Sequence, residues 1–198
     1  MLRIAVFASH GGTDMQAITD GCKEGKINGK VEVLICNNPG AFVVTRAENE
    51  GIPCHIINAG VCGSDEAVQE KTLSVLEEYG TQMIFLAGYM KKLPDKVLEK
   101  YDNRIFNIHP ALLPKYGGKG MYGIHVHEAV IAAGDKESGV TIHRVNNRYD
   151  SGEIIRQTTV PVFDGDTPDS LAARVLEREH EFLVEVIADI ADGKIKLG

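Results

Sequence analysis

The sequence predicts an α/β fold: a doubly wound, mostly parallel sheet that ends in an antiparallel hairpin and a long final helix. Three observations carry this. Short apolar, β-branched runs alternate with longer segments of helical period through the first half of the chain, the signature of βαβ units. Those runs are continuously apolar, as strands covered on both faces are. In the last third the pattern changes to two strand-like runs joined by a short polar loop, followed by one long amphipathic stretch. The architecture is Rossmann-like.

Taken in order, the strand-like runs of the first half are Arg3–Ala8, Val31–Cys36, His55–Ile57, Met83–Ala87 and Arg104–Ile108. The helical segments between them are Met15–Cys22, Ala41–Asn49 and Glu66–Tyr79. Turn residues mark the joints at His10-Gly11-Gly12, Asn38-Pro39-Gly40, Gly51-Ile52-Pro53 and Leu93-Pro94-Asp95. The hairpin is predicted from Gly139–Val145 and Ile154–Val162, with Asn146–Glu153 as its loop. Asp166-Thr167-Pro168-Asp169 then opens the last helix, a capping residue before Pro in the first turn. Its apolar stripe is Leu171, Val175, Phe182, Leu183, Val186 and Ile190. No repeat or linker interrupts the chain, so residues 1–198 read as a single domain, with an anion-binding half (1–102) and a catalytic half (103–198).

Composition removes several function classes. Net charge is −7, aromatic content is 6% and Trp is absent, which argues against a nucleic-acid binder with a basic face or a stacking platform. The N-terminal apolar run breaks at a glycine pair, too short for a signal h-region or a membrane span. Cys22, Cys36, Cys54 and Cys62 show no C-x-x-C spacing and read as free thiols of a reducing compartment. The expectation is a cytoplasmic protein, monomer or homodimer, working on small molecules with neither nucleic acid nor membrane as partner.

Three clusters are placed to do chemistry. Ser9-His10-Gly11-Gly12-Thr13-Asp14 joins the first strand to the first helix. Glycines there let the backbone approach an anion, and a helix N-terminus offers free N–H groups and partial positive charge. A tight turn capped by Thr13 or Asp14 is the plain alternative. A dinucleotide site is disfavoured, because the spacing is not G-x-G-x-x-G and the second strand ends in Asn37-Asn38 rather than a ribose-binding acid. In the second cluster, Asn107 and His109 share one face of a strand by its period of two, ahead of Pro110. A carboxamide can donate to a developing oxyanion, and an imidazole can move a proton near neutral pH. The third is Asp150 in the hairpin loop, which next to His109 would raise the imidazole pKa and orient the ring. Glu179 stands apart, a carboxylate within the apolar stripe of the last helix, where it lies at the edge, pairs with a base or lines a pocket. His125 and His127 diverge around a helix start and no spaced partners support a metal site, so no metal is expected.

Asn107-Ile-His109-Pro110-Ala-Leu-Leu-Pro114, with Asp150 downstream in a His143…Asp150-Ser-Gly frame, resembles the signature of the folate-dependent formyltransferases. The likeness runs essentially end to end, through Ala5–Gln16, Leu86–Met90 with Leu93, Val160–Phe163 and Arg174-Val…Glu179-His180. It is closest to the branch that formylates glycinamide ribonucleotide in purine synthesis. The resemblance implies 10-formyltetrahydrofolate as co-substrate and Asn107, His109 and Asp150 as catalytic residues. It implies that Gly12, Thr13 and Asp14 hold the substrate phosphate and Glu179 contacts the ribose. Met90, Lys91, Lys92 and Leu93, with Asn146, Asn147 and Tyr149, would border the pterin. Another folate-dependent formyltransferase or a formyltetrahydrofolate hydrolase is the alternative. Asp14 stands where the family usually carries Asn, a carboxylate set against a phosphate. His10 replaces a usual Gly, Asp65 an Arg near the folate tail, and Lys91 an Arg at the pterin site. The glycine-rich segment Lys115–Gly123 is longer than usual and reads as a mobile flap or an inert surface loop.

Overall fold

The computed structural model describes residues 1–198. Its seven-stranded sheet contains β1 (Leu2–Ala8), β2 (Gly29–Cys36), β3 (Cys54–Ile56), β4 (Met83–Leu86), β5 (Ile105–His109), β6 (Glu137–Arg144) and β7 (Ile154–Pro161). The spatial order is β3-β2-β1-β4-β5-β6-β7. The first five strands run parallel, and β6 and β7 are antiparallel to their neighbours. The helices are α1 (Thr13–Lys23), α2 (Phe42–Glu50), α3 (Ala59–Cys62), α4 (Asp65–Glu78), α5 (Asp95–Lys100), α6 (Ile124–Ala133) and α7 (Pro168–Ala191). Every strand expected from the sequence forms within a few residues of its expected bounds. The short α3 and α5 carried no periodic signal, as one or two turns cannot display one, and α6 was expected only as a helix start at His125 and His127.

Alternation along β1 shows how the sheet is covered. Ile4, Val6 and Ala8 enter a core shared with α1, α2 and α7, while Ala5 and Phe7 enter a smaller one under α4 and α5. Both faces of the strand are therefore buried, and its residues are apolar without alternation. α7 lays Leu171, Val175, Phe182, Leu183, Val186 and Ile190 into the larger core, and Thr167 and Ser170 close a capping box at its start. The four cysteines are free thiols.

Strand order reverses between β1 and β4. In open α/β sheets the crevice beyond the carboxyl ends of the strands at such a point is where ligands bind. The turn after β1, the segment after β4 and the end of β5 all open there, and no helix of the protein is long and apolar enough to cross a membrane.

Candidate active site

A cavity of about 620 Å³ lies at this point. Asn107, His109 and Asp150 line it, as do Met90, Lys91, Lys92, Leu93, Asn146, Asn147, Tyr149, Asp14 and Glu179. Gly12 and Thr13 are not on its wall; they lie just behind Asp14 at the tip of α1. The residues singled out in the sequence thus gather around one space, drawn from both halves of the chain.

β5 delivers Asn107 and His109 to one face of the sheet, as the period of two requires. The Pro110–Leu113 segment that leaves the strand is fixed by Thr141 on β6. Its Oγ1 donates to the Ala111 carbonyl (2.6 Å) and accepts from the Leu113 N–H (3.1 Å) and from Gln157 Nε2 (2.9 Å). Asp150 arrives from the hairpin loop with φ +50°, a left-handed conformation that Asp tolerates better than most residues. Two residues later Gly152 lets the loop close against β6. A Cβ there would stand 1.8 Å from the Arg144 carbonyl oxygen.

His109 Nε2 donates to the Tyr116 carbonyl (2.7 Å), since a carbonyl only accepts. Nδ1 is left as the nitrogen free to gain a proton, and it faces Asp150 Oδ2 at 3.8 Å. Asp150 Oδ2 also accepts the Gly118 N–H (2.8 Å), and Oδ1 lies 3.6 Å from His143 Nε2. His143 Nδ1 donates to the Arg144 carbonyl (2.7 Å), so in the neutral ring Nε2 accepts from the Asn107 amide (3.1 Å). His143 therefore stands between the amide and the carboxylate.

Electrostatics divide the charge in one direction. Burial pushes Asp150 up, but the neighbouring His143, the hydrogen bond from the Gly118 N–H and the pull of His109 hold it below the usual carboxylate range. Burial also pushes His109 below its ordinary value, and outweighs the pull of Asp150 in the other direction. The expectation that Asp150 raises the His109 pKa is thus half right. The carboxylate acts as expected, yet the ring of the unliganded protein is neutral at neutral pH because little water reaches it.

The second corner of the cavity is the α1 tip. Gly12 is its N-cap, in the left-handed conformation, and no side chain caps the helix. Thr13 and Asp14 are helical residues, so neither is the cap considered from the sequence. A Cβ on Gly12 would lie 2.3 Å from Val43 Cγ2, so the backbone is packed directly on α2. Ser9 ties the end of β1 to its neighbours: its Oγ donates to Asn37 Oδ1 (2.5 Å) and accepts the Met90 N–H (2.9 Å). The same bonds hold the segment after β4 against the tip. Further along, Lys92 rests over the Tyr149 ring at 5.3 Å, linking two of the residues expected at the pterin.

Glu179 is buried in the α7 stripe, and its partner is another acid, Asp14, rather than a base or solvent. His143, the backbone of Tyr116 and Gly118, and His127 were not among the expected site residues. His143 was visible only as part of a sequence frame. Tyr116 and Gly118 act through main-chain atoms that no side-chain pattern reports, and they tie the start of the glycine-rich segment to the catalytic corner, so this part is no inert surface loop. His125 and His127 do diverge around α6: the first is exposed beside Glu128, the second buried on the cavity wall.

Comparison with known proteins agrees with this geometry. The Formyl transferase family matches residues 2–187. The chain is 43% identical over 195 residues to the chloroplastic phosphoribosylglycinamide formyltransferase of Arabidopsis thaliana, covering 98% of this chain and 67% of that one. It is 38% identical to the phosphoribosylglycinamide formyltransferase of Escherichia coli K12, covering 99% and 90%. The crystal structure of glycinamide ribonucleotide transformylase 1 from Symbiobacterium toebii superposes with a TM-score of 0.91 at 36% identity, covering 100% of this chain and 91% of that one. The chain spans about two thirds of the length of the plant relatives it matches.

Proposed function

The chain belongs to the formyl transferase family, and from that premise we propose that it transfers the formyl group of 10-formyltetrahydrofolate to the primary amine of glycinamide ribonucleotide, a step of purine (IMP) biosynthesis. One observation carries this reading: an amide, an imidazole and a carboxylate converge in a cavity that also reaches Asp14 in the uncapped first turn of α1. Residues 1–198 act as one domain, whose first half (1–102) supplies the phosphate site and whose second half (103–198) supplies the chemistry. Gly12, Thr13 and Asp14 take the phosphate through backbone N–H groups, which the uncapped first turn of α1 leaves free. Glu179 contacts the ribose. The pterin lies between Met90–Leu93 and the loop of Asn146, Asn147 and Tyr149.

The amine nitrogen attacks the formyl carbon, and the carbonyl π pair moves onto oxygen. Asn107 donates one amide hydrogen to His143, and its second N–H is available to the oxyanion. His109, neutral when the site is empty, takes a proton on Nδ1, the nitrogen not held by Tyr116. Asp150, 3.8 Å from that nitrogen, stabilises the imidazolium by its charge. When the intermediate collapses, the C–N bond to folate N10 breaks. N10 keeps the bond pair and receives from the imidazolium the proton that the attacking nitrogen has shed to Nδ1, which returns the ring to its neutral form. No covalent enzyme intermediate is needed.

A second reading, hydrolysis of formyl-folate or transfer to another amine, is favoured by one feature, the Asp14 carboxylate at the tip where the phosphate would sit. Incubation of the purified protein with 10-formyltetrahydrofolate, with and without glycinamide ribonucleotide, separates the two. The proposal expects formylated ribonucleotide and negligible folate turnover without the amine. Loss of formyl-folate at the same rate in both reactions would replace it with the hydrolase reading.

A further inference from the structure

Asp14 on α1 and Glu179 on the facing turn of α7 stand on one wall of the cavity, close enough for each carboxyl to act on the other. Both residues are buried, at 9% and 7% exposure, and both line the cavity. Two carboxylate anions offer only acceptors, so a buried pair of this kind holds a proton between them. The remaining oxygen of Asp14, Oδ1, is buried with no donor. His180 Nε2, 3.5 Å from it, is buried with no acceptor. The free cluster thus carries one shared proton and has an unfilled position for a second.

We propose that Asp14, Glu179 and His180 form a proton-storing cluster that draws in one further proton when the substrate phosphate lands on the α1 tip, making binding of the phosphorylated substrate proton-linked. The inference rests on the reading that the phosphate sits on Gly12–Asp14. The balance is simple. Before binding, one proton is shared by the two acids; afterwards Asp14 Oδ1, facing His180, carries a second taken from solvent, and no other bond forms or breaks. The incoming dianion drives the uptake, because it meets a neutral acid pair in place of a buried anion.

The surroundings agree. Burial raises the pKa of both acids, with Asp14 adding to the rise at Glu179, while His180 and Glu179 act on Asp14 in the opposite sense. Neither acid has a further charged partner, and from α6, which packs on α7, the titratable residue on the same cavity wall is buried His127. On α2, Arg46 is turned to the Gly11 carbonyl (2.9 Å), and Glu50 is bonded by Gln16 and Lys23. On β2, Lys30 and Glu32 pair with each other, and His10 is exposed in the turn before the helix. An Asn at position 14 would bind phosphate with no such linkage, so this carboxylate makes the site pH-sensitive.

Calorimetric titration of glycinamide ribonucleotide at pH 8, in buffers of low and high ionisation enthalpy, counts the protons. Wild-type protein should take up about one proton more than Asp14→Asn, the substrate's own ionisations being common to both and cancelling. From pH 7 to 9 the Kd should weaken more steeply for wild type than for Asp14→Asn, the two curves diverging by up to about tenfold per pH unit. Equal proton counts or parallel Kd curves would overturn the proposal. Should Asp14→Asn fold poorly, carbon NMR of the wild-type carboxyls gives the answer: on adding inorganic phosphate at pH 8, the Asp14 signal should move from the carboxylate to the carboxylic-acid position. A signal that stays in place as phosphate saturates overturns the cluster. If phosphate moves the signal but glycinamide ribonucleotide gives no heat, the substrate assignment fails instead.

Discussion

The cavity has two corners, each built from carboxyl and imidazole groups, and they are in opposite protonation states. At the β5 corner Asp150 is held ionised, and burial keeps His109 neutral. At the α1 tip Asp14 and Glu179 are pushed toward their acid forms. Both corners exclude water, so burial is not what distinguishes them. The difference is the donors. Asp150 accepts the Gly118 N–H and is flanked by two imidazoles, whereas Asp14 meets another acid and leaves Oδ1 with no donor. A buried carboxyl keeps its charge where its oxygens are bonded and gives it up where they are not.

The largest test breaks the β5 corner. Asp150→Asn removes the charge while nearly preserving shape, and His109→Asn removes the proton carrier. Each should lower kcat by about 10²–10⁴-fold, the usual worth of a positioned acid–base group. The Kd for glycinamide ribonucleotide, bound mainly at the other corner, should stay within a few-fold. Turnover that survives either change would remove these residues from the chemistry. A somewhat smaller loss is expected for Asn107→Ala, about 10²–10³-fold in kcat, if its amide supports the oxyanion. A change confined to KM would make it a binding residue.

His143 is a positioning residue, and its removal should be milder. His143→Ala should cost about tenfold in kcat and displace the kcat–pH profile, because Asp150 loses a neighbour that holds its pKa down. The profile is the discriminating readout. A kcat loss with an unchanged profile would mean that His143 only fills space.

The two corners also differed in how far the sequence revealed them. Asn107 and His109 were legible because strand period alone puts them on one face, and Asp150 because the polar hairpin loop could carry it to them. What was not legible depended on contacts between distant segments. The Tyr116 carbonyl and the Gly118 N–H belong to the main chain, and sequence assigns them no role. That Glu179 would meet Asp14, rather than a base, depends on how α7 crosses α1, which apolar stripes specify only coarsely. The fold itself was legible almost throughout, since continuous apolar strands and a changed pattern after residue 137 are features of local sequence. The net direction of the His109 pKa was misjudged, because a neighbouring charge can be expected from sequence while the extent of dehydration cannot.

The smallest effect sharpens the contrast as thermal stability against pH. Acid should weaken the β5 corner. The folded-state pKa of His109 lies below its unfolded value, so its contribution to stability is present above the unfolded pKa and lost as pH falls. Asp150, also depressed, is lost in the same direction, at lower pH. The α1 tip has the opposite sign. Asp14 and Glu179 are raised, so their contribution is complete below the unfolded carboxyl values and is lost as pH rises through the folded ones. Replacing Asp14 with Asn removes part of that alkaline penalty. If it is worth about 1 kcal/mol, the Tm at pH 8 should rise by about 2–4 °C for a chain of this size. The gain should vanish near pH 3, where the folded and unfolded wild-type chains are both largely protonated at this position. Asp150→Asn, followed in the same melts, should lower the Tm at pH 8. A gain for Asp14→Asn that is equal at both pH values would reflect packing instead, and the contrast drawn between the two corners would then lose its electrostatic basis.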